Sequence, residues 1–95
     1  MWDDPVATAE ALARAALTER LRAEELARVA LRVTQHTSPS GEPTLCVGLA
    51  RVEAADDPTA WQWWWFLLRT TPTLELFVWA VEQATGAVLY RLGLR

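Results

Sequence analysis

The apolar run from Trp61 to Leu68 constrains the fold more than any other part of the chain. It contains four of the six tryptophans. Its residues alternate between two apolar sets, Trp61, Trp63 and Trp65 on one side and Trp64, Phe66 and Leu68 on the other. A strand from Trp61 to Arg69 would therefore be apolar on both faces. Because an antiparallel sheet commonly exposes one face to water, the sequence predicts an aromatic surface that needs a cover.

The composition indicates one ordinary globular domain over residues 1–95. Hydrophobic residues make up 52% of the chain and charged residues 22%, which is far from the composition of a disordered segment. Lysine, asparagine and isoleucine are absent, a bias typical of GC-rich bacterial genomes. All nine basic residues are arginines interspersed with acids, and the net charge is −3. We therefore expect no nucleic-acid partner, because a basic stripe for phosphates is missing.

The N-terminal third has the pattern of a long helix. Asp3 and Asp4 can cap its first turn, and Pro5 suits its first position. Strong helix formers without glycine or proline follow as far as Val33, so we predict a helical region of about residues 5–34. Thr18 is a candidate N-cap for a second segment if the helix breaks there.

The remainder predicts a sheet over about residues 44–92, after a turn-rich loop at 36–43. Four segments have the composition of strands: 44–52, 61–69, 74–82 and 87–92. Thr71-Pro72-Thr73 and Ala84-Thr85-Gly86 supply the turns between the last three. One face of the first strand is small, with Cys46 and Gly48, which would let a helix backbone lie close to it. The predicted fold class is α+β, a long N-terminal helix packed on a four-stranded antiparallel sheet.

This α-β-β-β-β order resembles the cystatin-like folds. The segment Leu76–Leu89, with the letters LFVWAVEQATGAVL, resembles the terminal hairpin of PepSY-type domains, in which an acidic residue and Thr-Gly join two strands. Small immunity proteins have a similar hairpin after a tryptophan-containing strand, a place that Trp65-Phe66-Leu67-Leu68 would take here. The resemblance implies a binding or regulatory module without catalytic residues.

Three alternatives could cover the predicted aromatic face. A second copy could pack sheet against sheet, the N-terminal half of the helix could fold around, or the face could bind a peptide, a sugar or a planar small molecule. Self-association is favoured, because large apolar patches usually mark contact surfaces. The candidate binding or interface residues are Trp61, Trp63, Trp64, Trp65, Phe77 and Trp79.

Catalytic and metal-binding patterns are weak. His36 and Cys46 are single residues of their types, so a nucleophilic Cys-His pair is formally possible. However, His36 falls in a turn-rich loop, and Cys46 has the surroundings of a compact hydrophobic residue. The adjacent acids Asp56 and Asp57 precede a proline and suit a turn better than a metal site. We therefore expect no enzyme activity, no catalytic residues, no metal site and no cofactor.

The sequence predicts a cytoplasmic protein without a membrane partner. A single cysteine gives no internal disulfide, and the acidic start lacks the features of a signal peptide. The longest apolar run is far shorter than the ~20 residues of a membrane-spanning helix. The functional hypothesis is a non-enzymatic protein-interaction or regulatory and inhibitory module, homodimeric through its tryptophan-rich sheet face. The alternative is a small-molecule-binding or enzymatic domain with a tryptophan-lined pocket on the curved sheet.

Overall fold

In the described part of the chain, two long helices pack on one face of a small antiparallel sheet, and a short third helix precedes the first strand. The computed structural model describes residues 4–70 and 73–94. Its elements are α1 (Pro5–Arg20), α2 (Ala23–Leu26), β1 (Val29–Thr37), β2 (Pro43–Arg51), β3 (Gln62–Leu67) and α3 (Leu74–Arg91). In the described ranges the sheet has three strands in the order β1-β2-β3, so the α+β class is confirmed and the four-stranded sheet is wrong.

Helix α1 begins as the sequence predicts. The Asp4 side chain accepts a hydrogen bond of 3.0 Å from the amide of Ala7, and Pro5 opens the first turn. Asp3, the other predicted cap, lies outside the described residues. The helix does not continue to residue 34, because the backbone becomes extended at Leu21. The short helix α2 follows, and the Glu25 carboxylate accepts a hydrogen bond from the amide of its N-cap, Arg22.

Strand β1 occupies a segment that the sequence assigns to the helix and the following loop. Its letters VALRVTQHT include valines and threonines at four of nine positions, and β-branched side chains favour extended backbone. It pairs with β2 from Val29 opposite Arg51 to Thr37 opposite Pro43. The turn between the strands contains Gly41, whose φ of 85° suits glycine. The predicted loop is thus the tip of a hairpin.

Helix α3 replaces the predicted third and fourth strands and the hairpin between them. The Thr73 hydroxyl caps it by accepting a hydrogen bond of 3.2 Å from the Leu76 amide. Its buried residues recur at helical spacing: Phe77, Val81, Ala84, Thr85, Val88 and Leu89. The segment is so apolar that a period of two also fits it, which is why alternation misleads here. The residues that resemble a PepSY-type hairpin are helical in this structure, and Thr71 and Pro72 lie outside the described residues.

The core lies between the sheet and the pair α1 and α3, which pack side by side. Helix α1 contacts β1, while α3 contacts β2 and β3. Leu45, Val47 and Leu49 of β2 point toward the helices and are fully buried. The prediction that the helix lies on the small face of this strand is therefore wrong. Three branched side chains bury more apolar area against the helices than cysteine, glycine and alanine would.

We predict that Gly86→Ala stabilises the fold by about 0.5–1 kcal/mol, because alanine is the better residue inside a helix. The added Cβ would meet nothing nearer than the Arg20 Nε, at 3.8 Å. Urea unfolding followed by circular dichroism measures the change. Gly41→Ala is the matched control and should destabilise the protein, since its positive φ disfavours a side chain. A clear loss of stability in Gly86→Ala would contradict helix α3.

Candidate interaction surface

The face of the sheet away from the helices is covered by its own tryptophans. Trp63 lies directly opposite Gly48 in the β2–β3 ladder. A Cβ placed on Gly48 would come within 2.3 Å of the Trp63 ring, so this ring lies flat on the backbone of β2. The neighbouring small residues Cys46 and Ala50 are also buried. Indole rings thus cover the small face of β2, where the sequence predicts a helix.

Trp61 extends this cover and is itself almost fully buried. Its ring stacks on that of Trp63, with centroids 5.5 Å apart and planes inclined by 21°. The indole N–H donates a hydrogen bond of 2.9 Å to the carbonyl of Ala55. On β1, the guanidinium of Arg32 lies 4.5 Å from the centre of the Trp61 ring, within the range of a cation–π contact. These contacts make Trp61 and Trp63 structural residues of the outer face.

We predict that Gly48→Ala destabilises the protein by about 1–3 kcal/mol, because the methyl group would force the Trp63 ring off the strand. The free energy of unfolding in urea measures the loss. An unchanged stability would contradict the flat packing of Trp63. Gly86→Ala, the same chemical change at an uncrowded position, serves as the comparison.

Trp64 and Phe66 point the other way, into the core. Both pack against the cluster between the helices and the sheet, and the rings of Phe66 and Phe77 meet edge to face at 6.5 Å. Phe77 is 0% exposed. It therefore cannot take part in an interface, although the sequence suggests it as a candidate. The set of alternate residues that faces the helices is the one containing Trp64.

Two of the described tryptophans remain largely exposed, and both line the same groove. Trp65 of β3 is 53% exposed and Trp79 of α3 is 59% exposed. They line a groove of about 260 Å³ between the edge of β3 and α3, which we call the β3–α3 groove. Its lining residues are Trp64, Trp65, Phe66, Thr70, Leu76, Trp79, Ala80 and Gln83. None of these side chains is charged, and most of them are apolar.

The groove borders the outer edge of β3. The hydrogen bonds within the sheet determine which backbone groups of β3 point outward at this edge. Ser38 donates to the Glu42 carbonyl and Val52 to the Arg28 carbonyl, so the even-numbered residues of β2 bond toward β1. The odd-numbered residues of β2 then bond toward β3, where they pair with Gln62, Trp64 and Phe66. The backbone groups of Trp63, Trp65 and Leu67 consequently point away from the sheet, at its β3 edge.

The chemistry of His36 and Cys46 does not support a nucleophilic pair. The His36 Nε2 lies 2.9 Å from the Thr34 hydroxyl, and its ring packs 5.1 Å from the Trp65 ring. Burial raises the pKa of the Cys46 thiol from 9.0 to about 11, which keeps it protonated at neutral pH. Asp57 serves the turn: it accepts two hydrogen bonds from Thr59, which lower its pKa.

Within residues 4–70 and 73–94, no group of three or more histidine, cysteine and acidic side chains is placed to hold a metal ion. No helix in these ranges combines the length and apolarity needed to cross a bilayer. The surface feature that stands out in this part of the chain is therefore the β3–α3 groove.

We predict that the pKa of Cys46 makes stability fall as pH rises from about 9 to about 11. In this window the unfolded chain has lost the thiol proton while the folded chain retains it, so deprotonation favours unfolding. Urea unfolding at several pH values measures the slope. Cys46→Ala should lack this component and show a flatter profile. Equal slopes for the two proteins would contradict the buried, protonated thiol.

Comparison of the chain with protein-family models, with curated proteins and with solved structures found no match. The inference of function accordingly starts from the fold and its surface.

Sequence reasoning identifies the two exposed tryptophans but misses the other wall of the groove. Leu76, Ala80 and Gln83 follow one another at helical spacing beside Trp79. That spacing is visible in the sequence once the segment is interpreted as a helix. The strand interpretation instead places Leu76 and Ala80 on one face of a sheet and Trp79 on the other, with Gln83 beyond the end of the strand.

Proposed function

We propose that this chain is a non-enzymatic protein-interaction module that binds another polypeptide through the β3–α3 groove. Its main binding partner is a second copy of the same chain. The observation that carries the proposal is the pair of half-exposed tryptophans in one uncharged groove. A tryptophan side chain presents up to about 250 Å², so half-exposure of both leaves roughly 200–300 Å² in water. With Leu76, which is 44% exposed, the patch reaches the size typical of functional contacts.

A polypeptide suits this groove better than a small molecule does. Ligand pockets usually enclose about 300–1,000 Å³ and bring several polar groups together. Here the lining offers only Thr70 and Gln83 as polar partners, in a groove of about 260 Å³. Trp61 and Trp63 line a second hollow, of about 370 Å³, beside Arg32 and Asp56, but their rings stack on each other and the Trp63 ring lies on Gly48, so both already cover the sheet.

The lack of charged side chains in this groove suits the binding of a second copy. The chain carries a net charge of −3, so two copies repel each other modestly. An uncharged patch can face its own copy without adding like-charge contacts. A regulatory or inhibitory role would follow if the same patch covers a partner's surface. The free, buried thiol of Cys46 suits a reducing compartment and with it the predicted cytoplasmic location.

We predict that Trp79→Ser weakens self-association by at least roughly 30-fold in Kd, the effect of losing an aromatic hot spot. Light scattering during gel filtration, over a wide dilution range, should give about twice the 10.7 kDa chain mass for the wild type. The matched control is Tyr90→Ser. Tyr90 is 72% exposed on the same helix, about three turns further along, and does not line the groove. It should leave the association unchanged.

Two results would refute the proposal of self-association. One is a wild-type protein that remains monomeric at every concentration. The other is an equal loss in Trp79→Ser and Tyr90→Ser, which would indicate general stickiness of exposed aromatic residues. Circular dichroism of each variant verifies that the fold is intact, as expected for substitutions of exposed side chains.

A further inference from the structure

The β3 edge is closed at both ends and open in the middle. At one end, the Arg91 side chain donates a hydrogen bond of 2.5 Å to the Trp63 carbonyl, and its guanidinium lies 5.4 Å from the centre of the Trp64 ring. At the other end, the Thr70 hydroxyl donates a hydrogen bond of 2.8 Å to the Leu67 carbonyl. Between them, no described residue hydrogen-bonds to the outward amide or carbonyl of Trp65.

The side chains of this edge do not discourage pairing. Edge strands usually protect themselves from other chains with charged residues, prolines or bulges. Strand β3 has none of these in its letters QWWWFL, and it pairs with β2 without interruption. The opposite edge, β1, carries the exposed residues Arg32, Gln35 and His36. Of the two edges, β3 is therefore the one suited to another strand.

We propose that two copies join by antiparallel pairing of β3 with β3, centred on Trp65, so that two three-stranded sheets become one six-stranded sheet. This proposal rests on the proposed function and specifies how the β3–α3 groove binds its second copy. Each Trp65 amide donates to the Trp65 carbonyl of the other copy, which satisfies both outward backbone groups by one two-fold contact.

The surrounding side chains complete the contact. The two Trp65 residues would lie opposite each other across the joined edge, and each ring stays on the outer face, where it packs beside His36 of its own copy. On the other face, α3 lies under β2 and β3 and presents Leu76 and Trp79 beside the same edge. The two α3 helices would approach each other there, with Ala80 as the small residue between them. A single pair of backbone hydrogen bonds is weak alone, so the aromatic contacts supply most of the affinity.

Disulfide trapping tests the register. In a hydrogen-bonded antiparallel pair the Cα atoms are about 5.5 Å apart, which suits a disulfide. Trp65→Cys, made in a Cys46→Ala background, should form an inter-copy disulfide in a glutathione redox buffer. The control is Glu53→Cys in the same background, an exposed position in the connection after β2. We expect cross-linking of Trp65→Cys to be at least roughly tenfold faster, as read on non-reducing gels.

Amide hydrogen exchange tests the same contact in the unmodified protein. The Trp65 amide should exchange at least roughly tenfold more slowly at concentrations where the dimer prevails than at high dilution, and the protection should vanish in Trp79→Ser. A wild-type dimer that Trp79→Ser disrupts, but without Trp65 protection or the Trp65→Cys disulfide, would overturn the strand pairing and leave the proposed function standing. A protein that never dimerises would overturn both. If Trp65→Cys does not fold, amide exchange decides.

Discussion

The contact between the Trp63 ring and Gly48 determines how the two faces of the sheet are used. Because position 48 has no side chain, an indole ring can lie flat on the central strand. The outer face is then covered by residues of the adjacent strand and the connection before it. Both helices are left free to pack on the opposite face, over Leu45, Val47 and Leu49. A three-stranded sheet with one helix layer thereby buries both faces of β2 within a short chain.

The course of α3 explains why the β3 edge is only partly closed. The helix starts beyond the Leu67 end of the strand and runs back along it, so that its last turn reaches the Trp63 end. Arg91 of that last turn caps the Trp63 carbonyl. The first turns of α3 lie beside the edge and place Leu76 and Trp79 in the same groove as Trp65. The groove is the space between a strand and the helix that follows it.

The sequence predicts the parts of this fold that local chemistry controls. Asp4 and Pro5 indicate where α1 begins, and alternation locates β2 and β3 and separates their two faces, although it does not identify the face that the helices cover. Alternation fails for α3, because a segment that is apolar almost throughout fits both the helical and the strand period. It also misplaces β1, whose arginine, glutamine and histidine disguise a strand that is buried at Val33. The groove escapes prediction because its two walls, β3 and α3, come together only in the folded chain.

Three consecutive tryptophans have different environments, and their partners on β2 account for the difference. Trp64 is opposite Val47 and belongs to the face that the helices cover. Trp63 is opposite Gly48 and can lie flat, while Trp65 is opposite Cys46, whose Cβ and sulfur occupy the space that glycine leaves open. The Trp65 ring packs beside His36 and stays 53% exposed. The exposure that makes Trp65 suitable for an interface thus follows from the residue opposite it. Within one strand, Trp64 belongs to the core, Trp63 covers the outer face of the sheet, and Trp65 is available for an interface.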